Sequence, residues 1–528
     1  MPEPNVLLLM SDEHNPRFLS HRDEPVRTPT MSGLAEEGTD FEQAYCPMPK
    51  CAPSRQCMLS GREQANARAW DLYEPMKPGM ATLPDTLSEA GYETCLVGKM
   101  HFQGNRQFNG FDHRPYGDLT GHGLQQPSHQ PDPIRPEHLT TKPRRQGIDF
   151  DTRIPGAGIT EIPESQLQEH IVARESIAWL REQEARDPDQ PWFLCASFSR
   201  PHFPLTAPRR HFDRYWPDGA TEPTPADPGD TGDHPYVVEK NRTEETDDLD
   251  HEALMRARAG YFACVDFLDE VLGEFLATLE AGGHLENTIV VYLSDHGDMA
   301  GEHGLWWKDT WHDGASRVPF SIQTPGHREG TDAHATIDEP VSLIDLFPTL
   351  CGLCDVSIPD GVDGADLSTT VRTGEDFDRA PVVSDNISPP FGRDDLAYRM
   401  VRDGRWKYVG FRDAPELLFD VEADPVEQHN LATDPSGEAA EALDRLRGFV
   451  TETVDFPGIE AEREADRANR DEYALPIPIG TGNAYLMPDG RLVDASTMLY
   501  KSDVLAQDPS KVFADWPNEE DDGETESG

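Results

Sequence analysis

The sequence predicts an α/β fold: a large domain with a mostly parallel central sheet flanked by helices, then a smaller subdomain built on an antiparallel sheet. Two observations predict it. Short β-rich runs alternate with helical stretches as far as about residue 355, and after residue 375 the pattern changes to closely spaced strands, with no internal repeat. At 528 residues the chain is too long for one small core. The expected boundaries are 1–370 for the large domain, 371–455 for the antiparallel sheet and its helix, and 456–528 for an irregular extension with an acidic tail.

The strands, in order, are NVLLLM (5–10), ETCLVG (93–98), WFLCASF (192–198), TIVVYLS (288–294) and VPFSIQT (318–324). Helices are expected in TLPDTLSEAG (82–91), QLQEHIVARESIAWLREQEA (166–185) and RARAGYFACVDFLDEVLGEFLATLEAGG (256–283). Two polar, proline-rich insertions, 116–160 and 204–250, read as long loops, of the kind that are either functional lids or disordered. Residues 397–432 read as an antiparallel meander with Asp403-Gly404 as a hairpin turn, and 437–450 as a short amphipathic helix.

The net charge of −52 excludes direct binding to nucleic acid or to an anionic membrane. Nine lysines stand against 37 arginines. An acidic, lysine-poor surface of this kind suits a salt-rich, halophilic cytoplasm, where screening removes most of the self-repulsion. The N-terminus lacks a basic region before its first apolar run, so it reads as a strand rather than a signal peptide, and the expected location is cytoplasmic. The eight cysteines fall largely in apolar runs, as reduced core thiols do. Cys351-Gly-Leu-Cys354 has redox spacing but ends an apolar helical pattern, and is read as core packing.

Polar groups gather where the strands end. The first runs into Ser11-Asp12-Glu13-His14, the second into Lys99-Met100-His101, the third into Ser199-Arg200-Pro201-His202 and the fourth into Asp295-His296-Gly297-Asp298. In open α/β sheets the carboxyl ends of the strands line the ligand crevice. Taken singly, Asp12 would serve as a cap, Asp295-His296-Gly297 as a turn, and His101 and His202 as structural histidines. Four such endings on one edge describe a site. Lys99 and Lys308 sit beside it in a chain that otherwise avoids lysine, which points to a need for a compact ammonium. Asp12, Asp295 and an imidazole make a hard ligand set for calcium, magnesium or manganese, and no paired cysteines suggest a zinc cage. Such a metal among lysines and histidines suits an anionic tetrahedral ester.

One stretch remains, Cys51-Ala-Pro-Ser-Arg-Gln-Cys-Met-Leu-Ser-Gly-Arg62. Pro53 suits a first helical turn and Gly61 a stop, so Cys51 would stand at the positive end of a helix. This stretch resembles the Cys-x-Pro-Ser-Arg signature of the sulfatase family, within the alkaline phosphatase-like superfamily. LLLMSDEH, VGKMH, SRPHFPL, LSDHGD and GEHGLWWK follow the family's order, and the likeness spans nearly the whole chain.

The resemblance implies an alkaline phosphatase-like catalytic domain and a sulfuric ester hydrolase. Cys51 would be oxidised to formylglycine by a dedicated maturation system. The hydrated aldehyde would attack sulfur, forming a covalent sulfate ester, and its second hydroxyl would then expel sulfate. Asp12, Asp295, His296 and the oxidised Cys51 would hold one divalent ion, calcium first, with magnesium or manganese as alternatives. Arg55 would help hold the nucleophile, Lys99 and His101 would orient the diol and its ester, and Lys308 would clamp the sulfate. His202 would protonate the leaving oxygen with help from Lys308. Glu13 stands where many members carry a second aspartate, and is left outside the expected ligand set. The expected partner is a small-molecule or saccharide sulfate ester; homo-oligomeric assembly is left open. Two alternatives remain from the sequence: a formylglycine-dependent phosphonate monoester or phosphodiester hydrolase, and a non-catalytic anion-binding relative.

Overall fold

The computed structural model describes residues 3–468, except 23–24, 73, 104–105, 118–152, 161, 228–230, 247–248 and 389; beyond 468 it describes 484–486, 490 and 492–494. Most of the 116–160 insertion and the acidic tail lie outside the described residues.

Eight strands form the main sheet: β1 (Asn5–Asp12), β2 (Thr39–Phe41), β3 (Glu93–Gly98), β4 (His113–Tyr116), β5 (Trp192–Pro201), β6 (Thr288–Ser294), β7 (Phe320–Gln323) and β8 (Ala335–Ile337). Their order is β8-β2-β7-β6-β1-β5-β3-β4. Strand β7 runs antiparallel to both its neighbours, and the remaining pairs are parallel. The four strands whose ends carry the polar clusters are therefore consecutive neighbours, β6-β1-β5-β3, at the centre of the sheet.

Both faces of the sheet are covered, which is why its central strands read as unbroken apolar runs. Val6, Leu8 and Met10 of β1 face one core with α2 (Cys51–Ser60), α3 (Leu83–Glu89) and α8 (Leu346–Leu353). Leu7 and Leu9 face the other, with α1 (Pro29–Glu36), α4 (Gln168–Arg186) and the long α7 (His251–Ala281). Helix α7 starts where Asp250 accepts the Ala253 N–H at 2.9 Å, and it buries Phe267, Leu268, Val271, Leu272 and Phe275. Each such side chain contributes roughly 1.5–3 kcal/mol by leaving water. All eight cysteines are buried and unpaired, Cys351 and Cys354 among the core of α8.

The second sheet is antiparallel: β9 (Val382–Asn386), β10 (Tyr398–Asp403), β11 (Trp406–Phe411) and β12 (Leu417–Asp420). Asp403 pairs with Trp406, so the turn itself is Gly404-Arg405, with Gly404 at a φ of 52°. Helix α9 (Glu438–Thr453) packs Leu443, Leu446 and Val450 on the sheet's Val383, Val401, Tyr408 and Leu418.

Two expectations need correcting. The 204–250 insertion is not one long loop: it forms α5 (Arg209–Tyr215) and α6 (Pro235–Glu244). These helices are seven and ten residues long, too short to show a clear period among prolines, and packing onto α7 and the second sheet supplies what propensity does not. Nor is the chain irregular from 456 onward. Helix α10 (Phe456–Ala468) buries charged residues, Arg463 and Asp466, so hydrophobic patterning gave no sign of it. Asp466 receives the Trp70 indole N–H at 2.6 Å and pairs with Arg68 at 2.6 Å and Lys77 at 3.3 Å.

Candidate active site

The site begins with β1 and β6. Ser11 pairs with Ser294, so Asp12 and Asp295 leave adjacent strands at the same level. Lys99 follows β3, its N–H bound to Ser197 O at 3.1 Å, and His202 follows β5, its N–H bound to Asp12 O at 3.0 Å. Glycines make these exits possible. Gly98 has a φ of +97°, and a Cβ there would lie 2.0 Å from Ser197 O. A Cβ on Gly297 would lie 2.1 Å from Gly314 O.

Cys51 is the first residue of α2, and Gly61 closes that helix in the left-handed region with a φ of 63°. Ser54 and Arg55 bind the helix to the strand end. Ser54 Oγ donates to Asp295 O at 2.6 Å, and Arg55 Nε donates to Asp295 Oδ2 at 2.7 Å. Arg55 Nη2 donates to Asp12 Oδ2 at 2.8 Å, and Nη1 donates to Lys99 O at 2.7 Å and Ser197 Oγ at 3.1 Å. The guanidinium is fully buried. Its described hydrogen bonds go to the carboxylates and strand ends, whereas the sequence reading aimed it at the nucleophile.

The Cys51 sulfur is the focus. His296 Nε2 lies 3.1 Å from it, Lys308 Nζ 3.2 Å, Asp12 Oδ1 3.7 Å and Lys99 Nζ 3.9 Å. His101 and His202 also lie beside the sulfur and interact with it. Burial pushes the thiol up, but Lys308, Lys99 and His296 outweigh it and hold it well below its usual range. Every residue singled out from the sequence is thus within one cluster.

The surrounding charges are set by the same contacts. Burial and the Cys51 sulfur push Asp12 up, and Lys99 at 2.5 Å, His202 and Arg55 prevail, leaving its carboxyl below the ordinary carboxylate range. Burial opposes the charged form of His296, yet Asp295 and Cys51 raise it to about 9. Burial, Lys99 and Lys308 together push His202 down to about 3. Its Nδ1 lies 2.8 Å from Phe203 O, which accepts its N–H and turns Nε2 towards Glu13 Oε2 at 3.4 Å. Glu13 is the residue the sequence reading left aside. Burial raises it to about 8 although Lys308 Nζ lies 3.2 Å from Oε1, and it sits at a φ of 69°.

Asp12, Cys51, Asp295 and His296 each offer a donor atom within 4.8 Å of all the others, and Asp12, Glu13 and His202 form a second such group. Both Glu13 carboxylate oxygens are buried and make no hydrogen bond, with Lys308 and His202 only as ion-pair neighbours. His296 Nδ1 is engaged by Gly297 O at 2.9 Å, which leaves Nε2 facing the cluster. Hard oxygens, one imidazole and an anionic position at residue 51 fit a divalent cation.

Two family models match the chain: Sulfatase over residues 4–356, and N-sulphoglucosamine sulphohydrolase, C-terminal, over 301–448. A choline-sulfatase of Rhizobium meliloti is 32% identical over 481 residues, covering 89% of this chain and 90% of its own. An arylsulfatase of Clostridium perfringens is 31% identical over 477 residues, covering 86% and 95%. Among solved structures, a phosphonate monoester hydrolase from Silicibacter pomeroyi superposes with a TM-score of 0.70 at 23% identity, covering 94% of this chain and all of its own.

Proposed function

The chain belongs to the sulfatase family, and we propose from that premise that it hydrolyses a sulfate ester of a small molecule or saccharide to an alcohol and inorganic sulfate. The observation that carries the reading is the Cys51 position: a buried group at a helix N-terminus, ringed by Lys308, Lys99, His296, His101 and His202. In this reading Sγ marks the place of the formylglycine oxygen. Matured Cys51 supplies a hydrated aldehyde, one hydroxyl attacking sulfur and the other expelling sulfate from the resulting ester. A divalent ion held by Asp12, Asp295, His296 and residue 51 would supply charge neutralisation at the nucleophile and the sulfate oxygens.

The remaining chemistry belongs to side chains on the page. Arg55 fixes the carboxylates of Asp12 and Asp295, so their spacing is set before substrate arrives. Lys99, anchored on Asp12, and His101 orient the residue-51 hydroxyls. Lys308 keeps its proton strongly, because Cys51, Glu13 and Asp12 outweigh the effect of burial, and binds the sulfate oxygens. Burial is the main reason His202 is neutral, with Lys99 and Lys308 adding to it. A bound sulfate ester places negative charge beside all three, which offsets the two lysines and favours the protonated imidazole. His202 then takes a proton and delivers it from Nε2 to the leaving oxygen, with Lys308 as the second donor.

The test is the mass of the tryptic peptide Cys51–Arg55 from protein purified out of its native host, together with turnover of aryl sulfate against aryl phosphodiester. The expected result is an aldehyde at residue 51 and faster sulfate release. An intact thiol would sink the covalent mechanism, and faster phosphodiester cleavage would move the enzyme to the phosphorus-ester class.

A further inference from the structure

Lys308 sits in an unusual piece of backbone. Its neighbours Trp307 and Asp309 have φ of 58° and 67°, a region that L side chains rarely adopt. The turn persists because each side of it is tied down. Trp307 N–H donates to Asp298 Oδ1 at 3.1 Å, and Trp307 O accepts the Met299 N–H at 2.8 Å. Asp309 N–H donates to Pro49 O at 3.0 Å, and its carboxylate pairs with Lys50 at 3.1 Å, immediately before Cys51.

The Lys308 and Asp309 carbonyls are held from α6, in the insertion. Lys240 Nζ donates to Lys308 O at 2.5 Å, and the Tyr236 hydroxyl donates to Asp309 O. Tyr236, Lys240 and Glu244 are four residues apart, so they form one stripe of that helix. Both Glu244 oxygens accept from Lys240 Nζ at 2.7 Å, which uses the ammonium's remaining donors, and Lys240 is fully buried. A buried ion pair is weak evidence for stability, since desolvation offsets most of the attraction. What this pair supplies is direction: one donor aimed at the backbone carbonyl of the residue whose Nζ lies 3.2 Å from both the Cys51 sulfur and Glu13.

We propose that Lys240, oriented by Glu244, is a positioning residue for Lys308, so that α6 sets where the sulfate-binding ammonium stands. The assignment rests on the sulfatase reading above. Misplacement of a catalytic group by about 1 Å costs on the order of 100-fold in rate, so loss of the tether lowers kcat/KM by roughly 10- to 100-fold.

The experiment is a cycle on matured full-length enzyme with an aryl sulfate: wild type, Lys240→Met/Glu244→Met, Lys308→Ala, and the triple variant. Replacing the whole pair by apolar groups avoids stranding a buried charge, and Lys240→Gln/Glu244→Gln, a neutral pair too short at position 240 to hold the Lys308 carbonyl, is the second variant if the first double one fails to fold. The expected result is a fall of at least tenfold in the presence of Lys308 and less than twofold in its absence. An equal fall in both backgrounds, or no fall in folded protein, overturns the proposal. Inorganic sulfate binding, measured by calorimetry on the same proteins, gives a readout that does not depend on turnover. If wild type cleaves no sulfate ester, the functional reading has failed, while tenfold weaker sulfate binding in the double variant still supports the tether and unchanged binding refutes it.

Discussion

Replacing Arg55 by glutamine removes a guanidinium that faces both Asp12 and Asp295. In the wild-type protein it makes charge-assisted bonds of 2.8 and 2.7 Å to these carboxylates and also caps the Lys99 carbonyl at 2.7 Å. All three groups are fully or almost fully buried. Breaking a buried ionic network from one side costs about 3–5 kcal/mol, and a stranded carbonyl adds about 1–3 kcal/mol. Asp12 keeps Lys99 at 2.5 Å, and Asp295 keeps the Glu13 and His296 N–H groups at 3.1 and 3.0 Å, so the expected loss is about 4–6 kcal/mol. Unfolding entropy of about 2.1 cal/mol/K per residue over a domain of roughly 370 residues converts this to a Tm lowered by roughly 5–8 °C. The assay is thermal unfolding of chelator-treated wild-type and Arg55→Gln protein, so that bound metal does not mask the difference. Lysine at 55 keeps the charge but not the fork, and falls between the two. A chelator-treated Arg55→Gln protein melting within 1 °C of wild type would refute the claim that Arg55 neutralises the paired carboxylates.

Other substitutions probe the remaining links. His202→Ala lowers kcat by about 10²- to 10⁴-fold for an alkyl sulfate, but far less for a nitrophenyl sulfate whose leaving group needs no proton; equal losses on both would remove His202 from the leaving-group step. Asp269 accepts the Thr30 and Met31 N–H groups at 3.0 and 2.8 Å at the start of α1, and burial nonetheless raises its carboxyl from 3.8 to about 6. The folded state therefore holds this proton more tightly: the contribution is complete below about pH 4 and is lost as pH rises through about 6. Its size is about 3 kcal/mol, and Asp269→Asn should flatten the fall in unfolding free energy across that window; an unchanged slope counts against the assignment. Asp466→Ala leaves Trp70, Arg68 and Lys77 without their shared acceptor, so α10 should lose amide-exchange protection while the main sheet keeps it. Unaltered protection would mean that the ion pairs do not dock this helix.

The central strands and most of the site were legible in the chain because their causes are local. A run such as TIVVYLS must be covered on both faces, and a polar residue straight after it must emerge at a strand end, so the sequence alone puts Asp12, Lys99, His202 and Asp295 on one edge. Pro53 and Gly61 marked a helix by their own chemistry, with Cys51 at its start. What stayed hidden depends on partners distant in sequence. Glu13 looked like a longer aspartate, and only the fold sets it between His202 and Lys308. Helix α6 looked like loop because its buried stripe is tyrosine, lysine and glutamate, and helix α10 because its buried residues are arginine and aspartate. Periodicity reports burial only where burial is apolar. Where a buried charge is satisfied by a carbonyl or a guanidinium dozens or hundreds of residues away, as Lys240 is by Lys308 O and Asp466 by Arg68, the three-dimensional arrangement alone decides it, because the compensating group has no signature at the position it stabilises.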